Sequence, residues 1–152
     1  MKTINATTLA DMTINVLERT AMVLAEPAVD GDEQPVATHY ARITYSGPSH
    51  GTLLLGATDG FLRELAASLL GVEADEVNID THGSDALKEM ANIVGGSMIL
   101  ALSGDICEYS LALPELLPGA PDGAALCAEC TVVAEGGPLR VQWHDARTAQ
   151  AA

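Results

Sequence analysis

The sequence predicts an α/β (α+β) domain in which helices pack on a largely antiparallel sheet, and three observations predict it. Segments with helical apolar periodicity are interleaved with segments of strand-like alternation. The strand segments come in pairs joined by short turns rich in Gly and Pro, the connection that antiparallel neighbours use. The apolar content is 48% against only 3% aromatic, so the core is built from Ala, Leu, Ile, Val and Met, which suits helix-on-sheet packing. At 152 residues the chain fits one domain, taken as 1–152, large enough to bury a core.

Residues 8 to 25, TLADMTINVLERTAMVLA, place Met12, Val16 and Val23 on one side and Leu17, Ala21 and Leu24 on another. An apolar double face of this kind is expected of a helix wedged between two layers. After the acidic loop EPAVDGDEQP, residues 38 to 46 set Ala41, Ile43 and Tyr45 against Arg42 and Thr44, the pattern of a half-buried strand. GPSHG turns the chain and TLLLGAT returns as a more buried strand, giving a hairpin. Asp59 is expected to cap a helix with an apolar stripe of Phe61, Leu62, Leu65, Ala66, Leu69 and Leu70, ended by Gly71. The acidic linker VEADEVNIDTHG leads to Ser84, read as the N-cap of a helix running to about Ser103, with Asp85 in its first turn. A Pro-rich connection, LALPELLPGAPDG, follows. A strand from Ala125 to Glu135, a Gly136-Gly137-Pro138 turn and a last strand, LRVQWH, close the chain.

The helix from Ser84 carries KEMANIVGGS, with Glu89 and Asn92 one turn apart and then two adjacent glycines, each costing about 1 kcal/mol relative to alanine in a helix interior. At 100° per residue, Leu87, Met90, Ala91, Val94, Met98, Ala101 and Leu102 form a core stripe, while Asp85, Glu89, Asn92 and Gly96 form a polar ridge at the opposite pole. Ile93, Ile99 and Leu100 rim the ridge. A merely solvated face is more naturally filled with Lys, Glu and Gln, so Gly95 and Gly96 are expected to leave room for a partner to approach two rigidly presented polar side chains. The same pattern is also compatible with ordinary surface polars and with glycines that serve packing inside the protein.

The balance of 7 basic against 21 acidic residues, net −14, excludes nucleic acid and anionic membrane surfaces as natural partners. The N-terminus lacks a signal-peptide pattern, and no run approaches the roughly 20 apolar residues of a membrane span, so a soluble, cytoplasmic protein is expected. Three cysteines fit a reducing compartment. Cys127 and Cys130 form a CxxC within a strand pattern, where alternation points them to opposite faces and argues for packing over metal binding. His39, His50, His82 and His144 share no element at ligand spacing, and no metal site is expected in this chain. Gly47-Pro-Ser49-His-Gly51 matches GxSxG, but it joins two strands, whereas a nucleophile elbow joins a strand to a helix.

Asp85-xxx-Glu89-xx-Asn92 with Gly96 on the same helix resembles the signature of the CheC/CheX/FliY family of chemotaxis phosphatases, and the order of elements is similar to CheX over most of the chain. The first helix offers Asp11-Met-Thr-Ile-Asn15 and no second ExxN, which favours CheX over CheC. The resemblance implies a substrate, the phosphorylated receiver domain of a CheY-type response regulator, with Mg²⁺ bound on the receiver and no cofactor in this chain. It implies that Asn92 orients the attacking water and that Glu89 pairs with the receiver's lysine. Asp85, Ile93, Gly95 and Gly96 would complete the contact, Asp85 as a helix-start or supporting residue. A homodimer formed by sheet pairing is also implied, for which Leu126 to Ala134 and Leu139 to Trp143 are apolar strands without a blocking edge charge. A non-catalytic module that binds a receiver or another signalling partner through the same ridge is the alternative.

Overall fold

Alternation in residues 39 to 46 makes one face of a strand apolar, and such a face needs a covering layer. In a computed structural model, which describes residues 4–103, 109–121 and 126–145, three α-helices supply it: α1 (Ala6–Ala21), α2 (Asp59–Leu70) and α3 (Ser84–Ser103). The strands are β1 (Ala25–Pro27), β2 (His39–Ser46), β3 (Gly51–Ala57), β4 (Ser110–Leu111), β5 (Glu115–Leu117), β6 (Leu126–Ala134) and β7 (Gly137–Asp145). They form one seven-stranded sheet in the order β1-β6-β7-β3-β2-β4, with β5 also on β2, and every pairing is antiparallel. The inward residues Ala41, Ile43, Leu53, Leu55, Leu139, Val141 and Val132 join the buried residues of all three helices in a single core. The other sheet face is polar. There Arg140 and Gln142 donate to Glu129. Burial raises the Glu129 carboxyl, but the bonds from Gln142 and Arg140 outweigh it and leave the group below the usual carboxylate range.

Several expectations are corrected. The first helix ends at Ala21, where Met22 takes a left-handed conformation (φ 56°). That turn swings Val23 into the core and leaves Met22 and Leu24 exposed, so α1 has a solvated face and is not wedged between layers. The cap of α2 is Thr58, whose Oγ1 accepts from the Phe61 N–H at 3.2 Å, and Asp59 is the first helical residue. Gly71 ends that helix in the left-handed region as expected, but Leu69 and Leu70 lie outside the core. The Pro-rich connection contains β5, and β4 runs into its first residue; both cover the outer edge of β2. Most consequential for assembly, β7 is hydrogen-bonded on both sides, to β3 and β6, and offers no free edge.

The far end of the sheet holds a buried polar cluster. The Tyr45 hydroxyl donates to Asp145 Oδ2 at 2.6 Å and accepts from Trp143 Nε1 at 2.8 Å. Tyr109 packs edge-on against Tyr45 and shares a 3.1 Å hydrogen bond with Ser49. Ser49 is 3% exposed in the β2–β3 turn, with its hydroxyl engaged structurally. Burial, then the bond to Asp145, pushes the Tyr45 phenol well above its usual range, so it stays a donor. A bulge in β6 between Leu126 and Ala128 breaks the alternation there. Cys127 and Cys130 consequently both pack against the core and do not point to opposite faces. Burial raises the Cys130 thiol to about 12.

Tyr45→Phe is expected to cost about 1–3 kcal/mol, because buried Asp145 loses a donor. A lower urea midpoint at unchanged slope checks this.

Candidate functional site

The ridge on α3 starts from a firmly capped element. Asn78 Oδ1 accepts from the backbone N–H groups of Asp80 (3.0 Å) and Thr81 (3.2 Å), and a π-helical turn, Ile79–Gly83, runs directly into α3. Ser84 is therefore inside a continuous helical run and is not its cap, while Asp85 lies in the first turn of α3 as expected. The linker expected as a loop also contains a 3₁₀ turn, Ala74–Glu76, closed by a capping box between Glu73 and Glu76. Arg63 of α2 donates to the Val77 carbonyl at 3.0 Å and ties this entry segment to the neighbouring helix.

Along α3, Leu87, Met90, Ala91, Val94, Met98 and Leu102 are buried, which fixes the opposite pole toward solvent. Asp85, Glu89 and Asn92 are all exposed there. Asp85 makes a loose 3.8 Å ion pair with Lys88. Glu89 and Asn92 have no hydrogen-bond partner among the described residues, and one helical turn separates them, about 5–6 Å between Cβ atoms. Gly96 continues the ridge, and a Cβ there would meet nothing within 4 Å. Ile99 is not on the rim of the ridge but in the core, at 7% exposure, while Leu100 stays outside.

Gly95 does not share the exposed ridge. It is buried, and a Cβ built on it would lie 3.0 Å from Ile43 Cγ2 and 3.5 Å from Leu111 Cδ2. Its missing side chain lets α3 settle onto β2. Adjacent residues on a helix differ by 100°, so neighbouring glycines face different surroundings.

Ile93 lies half-buried between the ridge and α1. Together with Met12, Asn15, Val16, Arg19 and Ser97 it lines a groove of about 480 Å³ between the two helices. Sequence reasoning missed the α1 side of this groove. Its available signal was the pairing of Met12 and Val16 with Asn15 and Arg19, two sets at i,i+4 spacing on neighbouring faces. Among the described residues no group of three or more His, Cys, Asp or Glu gathers as a metal site, and no helix is long and apolar enough to cross a membrane.

The profile of the family described as chemotaxis phosphatase CheX matches residues 39–134, which include the whole ridge. The chain belongs to the CheX family. No curated protein sequence matches it. Solved structures extend the likeness to nearly the whole fold. CheX from Desulfovibrio desulfuricans superposes with a TM-score of 0.71 at 18% identity, covering 92% of this chain and 97% of that one. CheX from Vibrio vulnificus gives 0.68 at 18% identity, with 90% and 93% covered. The Borrelia burgdorferi protein in a CheX–CheY–BeF₃–Mg²⁺ complex gives 0.62 at 13% identity, with 90% and 94% covered. At such identities these structures share the CheX fold, with helices on one face of an antiparallel sheet.

The two glycines are expected to respond to alanine with opposite signs. Gly95→Ala sets a methyl 3.0 Å from Ile43, which is 1% exposed and must shift to admit it, so overpacking of about 1–3 kcal/mol should exceed the roughly 1 kcal/mol gained in helix propensity. Gly96→Ala meets open space and should stabilise by up to about 1 kcal/mol. Thermal melting of the two variants side by side checks both signs.

Proposed function

We propose that this CheX-family chain is a phosphatase for the aspartyl phosphate of a CheY-type receiver, acting through Asn92 and Glu89. The reading is carried by one observation: an unpaired amide and an unpaired carboxylate stand one turn apart on a rigid helix, beside a glycine with open space above it. An aspartyl phosphate is already reactive, so what hydrolysis needs is a water held in line with phosphorus. Asn92 has both a donor and an acceptor for that water. Glu89 accepts from the receiver's lysine and sets the register of the two proteins. Gly96 and Ile93 provide close approach beside them, and Asp85 supports the start of the contact. Mg²⁺ belongs to the receiver and partly neutralises its phosphoryl group. This substrate places the work in the cytoplasm.

CheY-type receivers of the same genome, phosphorylated by a small-molecule phosphodonor with Mg²⁺, provide the test. Asn92→Ala should abolish accelerated phosphate release while leaving affinity for a beryllofluoride-loaded receiver largely intact. Glu89→Ala should weaken that affinity by about tenfold or more, the scale of one charge-assisted hydrogen bond. Normal turnover by Asn92→Ala would overturn the mechanism. Binding without any acceleration by the unmodified protein would make the chain a non-catalytic receiver-binding module.

The homodimer is proposed on a narrower edge than the sequence suggested. β1 covers β6 only from Val132 to Ala134, and Ala28 adds a bond to Thr131, so among the described residues no strand pairs with the outer edge of Leu126 to Cys130, where a second copy would pair. A monomer in sedimentation at micromolar concentration would refute the dimer.

A further inference from the structure

We propose that Arg19 is a second anchor for the receiver, its guanidinium taking a carboxylate on the receiver surface around the phosphorylated aspartate. The proposal rests on the phosphatase reading above and adds a residue from α1, which lies outside the stretch matched by the family profile. It starts from an accounting of positive charge. Five of the seven basic residues are described, and four of those five are engaged. Arg42 pairs with Glu115 and Arg140 with Glu129. Arg63 donates to the Val77 carbonyl, and Lys88 pairs loosely with Asp85. Arg19 alone has no hydrogen bond or ion pair among the described residues.

In a chain with 21 acidic residues, an unpaired arginine needs an explanation. None of the helix-pair positions around it holds an acid: Asn15 and Val16 precede it at i−4 and i−3, and Met22 and Val23 follow at i+3 and i+4. The α3 residues across the groove, Ile93 and Ser97, are also neutral. Arg19 therefore offers five donors in a groove otherwise lined by neutral side chains. Glu89 precedes Ile93 by one helical turn, so the partner's face meets a carboxylate on one helix and a guanidinium on the other.

A receiver that holds Mg²⁺ beside its phosphate carries one or two carboxylates there, because Mg²⁺ is held through such groups together with phosphate oxygens and water. The same face carries the lysine that Glu89 would take. Two contacts of opposite sign, from two different helices, fix orientation as a single contact cannot. The ridge supplies the chemistry, and the groove beside it supplies register.

Arg19 is exposed at the end of a helix turn, so its variants should fold normally. Steady-state dephosphorylation of a CheY-type receiver on which the unmodified protein acts is measured for Arg19→Glu and Arg19→Lys, with Asn92→Ala as the reference. Arg19→Glu should raise KM by about tenfold with little change in kcat at saturating receiver, and Arg19→Lys should recover most of the loss. At about 0.5 M salt the difference between wild type and Arg19→Glu should shrink. A KM for Arg19→Glu within about twofold of wild type, while Asn92→Ala is inactive, would overturn the role of Arg19 and leave the phosphatase reading standing. Normal turnover by Asn92→Ala would instead remove that reading, and this proposal with it.

Discussion

The close approach of α3 to β2 at Gly95 is the constraint on which the site depends. Ile43 occupies the space that a side chain at Gly95 would need, at 3.0 Å from its ideal Cβ. A larger residue would lift or rotate the helix, and every outward side chain would move with it. Cores are close-packed and respond to such changes as units. The ridge has no walls of its own, so Glu89 and Asn92 inherit their position entirely from the opposite face of their helix. If Asn92 orients a water, as proposed above, a displacement near 1 Å would be costly, and a rigid element is the appropriate mount.

The entry to α3 contributes to the same rigidity. Asn78 satisfies two backbone donors, the π-helical turn passes without a break into the helix, and Arg63 fastens the segment to α2. Four acidic residues, Glu73, Asp75, Glu76 and Asp80, fall at the starts of these two turns. There they interact favourably with unpaired backbone N–H groups. A segment that reads as a charged linker is thus a stack of short capped turns. Its charge density is a consequence of the number of helix starts packed into a short stretch.

Much of this was legible in the residues. The bounds of α3, the buried stripe and the exposed ridge all follow from 3.6-residue periodicity, and the central strands follow from alternation. Failures occurred where a local feature overrides periodicity. Ser84 has the right chemistry for a cap, but Asn78 begins the helical run earlier, and the intervening π turn has no apolar period to announce it. β1, β4 and β5 span only two or three residues each, too few for alternation to register, and prolines at 27, 114 and 118 disguised them as loop. The left-handed Met22 redirected the apolar residues after α1, and the bulge in β6 changed the facing of Cys127. At the candidate site, periodicity could place Gly95 and Gly96 on different sides of the helix. It could not show that Gly95 faces β2, because that depends on which strand lies beneath.

Charge gives the groove and ridge their significance. With a net charge of −14, this chain repels an acid-rich partner at long range, but at physiological ionic strength that repulsion decays over about 8 Å. Beyond that distance the excess of carboxylates matters little. Inside it only the groups at the contact count, and most described cations are already tied to carboxylates or carbonyls elsewhere on the fold. Arg140 braces the helix-free sheet face, Arg42 holds β5 to β2, and Arg63 secures the entry to α3. Such pairings remove positive charge from most of the surface and leave a strongly anionic molecule with few places that attract an anionic partner. A surface of this kind discriminates by position. In the docking proposed above, a wrong orientation would oppose like charges, and bringing the partner's acids to the α1–α3 groove and its lysine to Glu89 would avoid that cost.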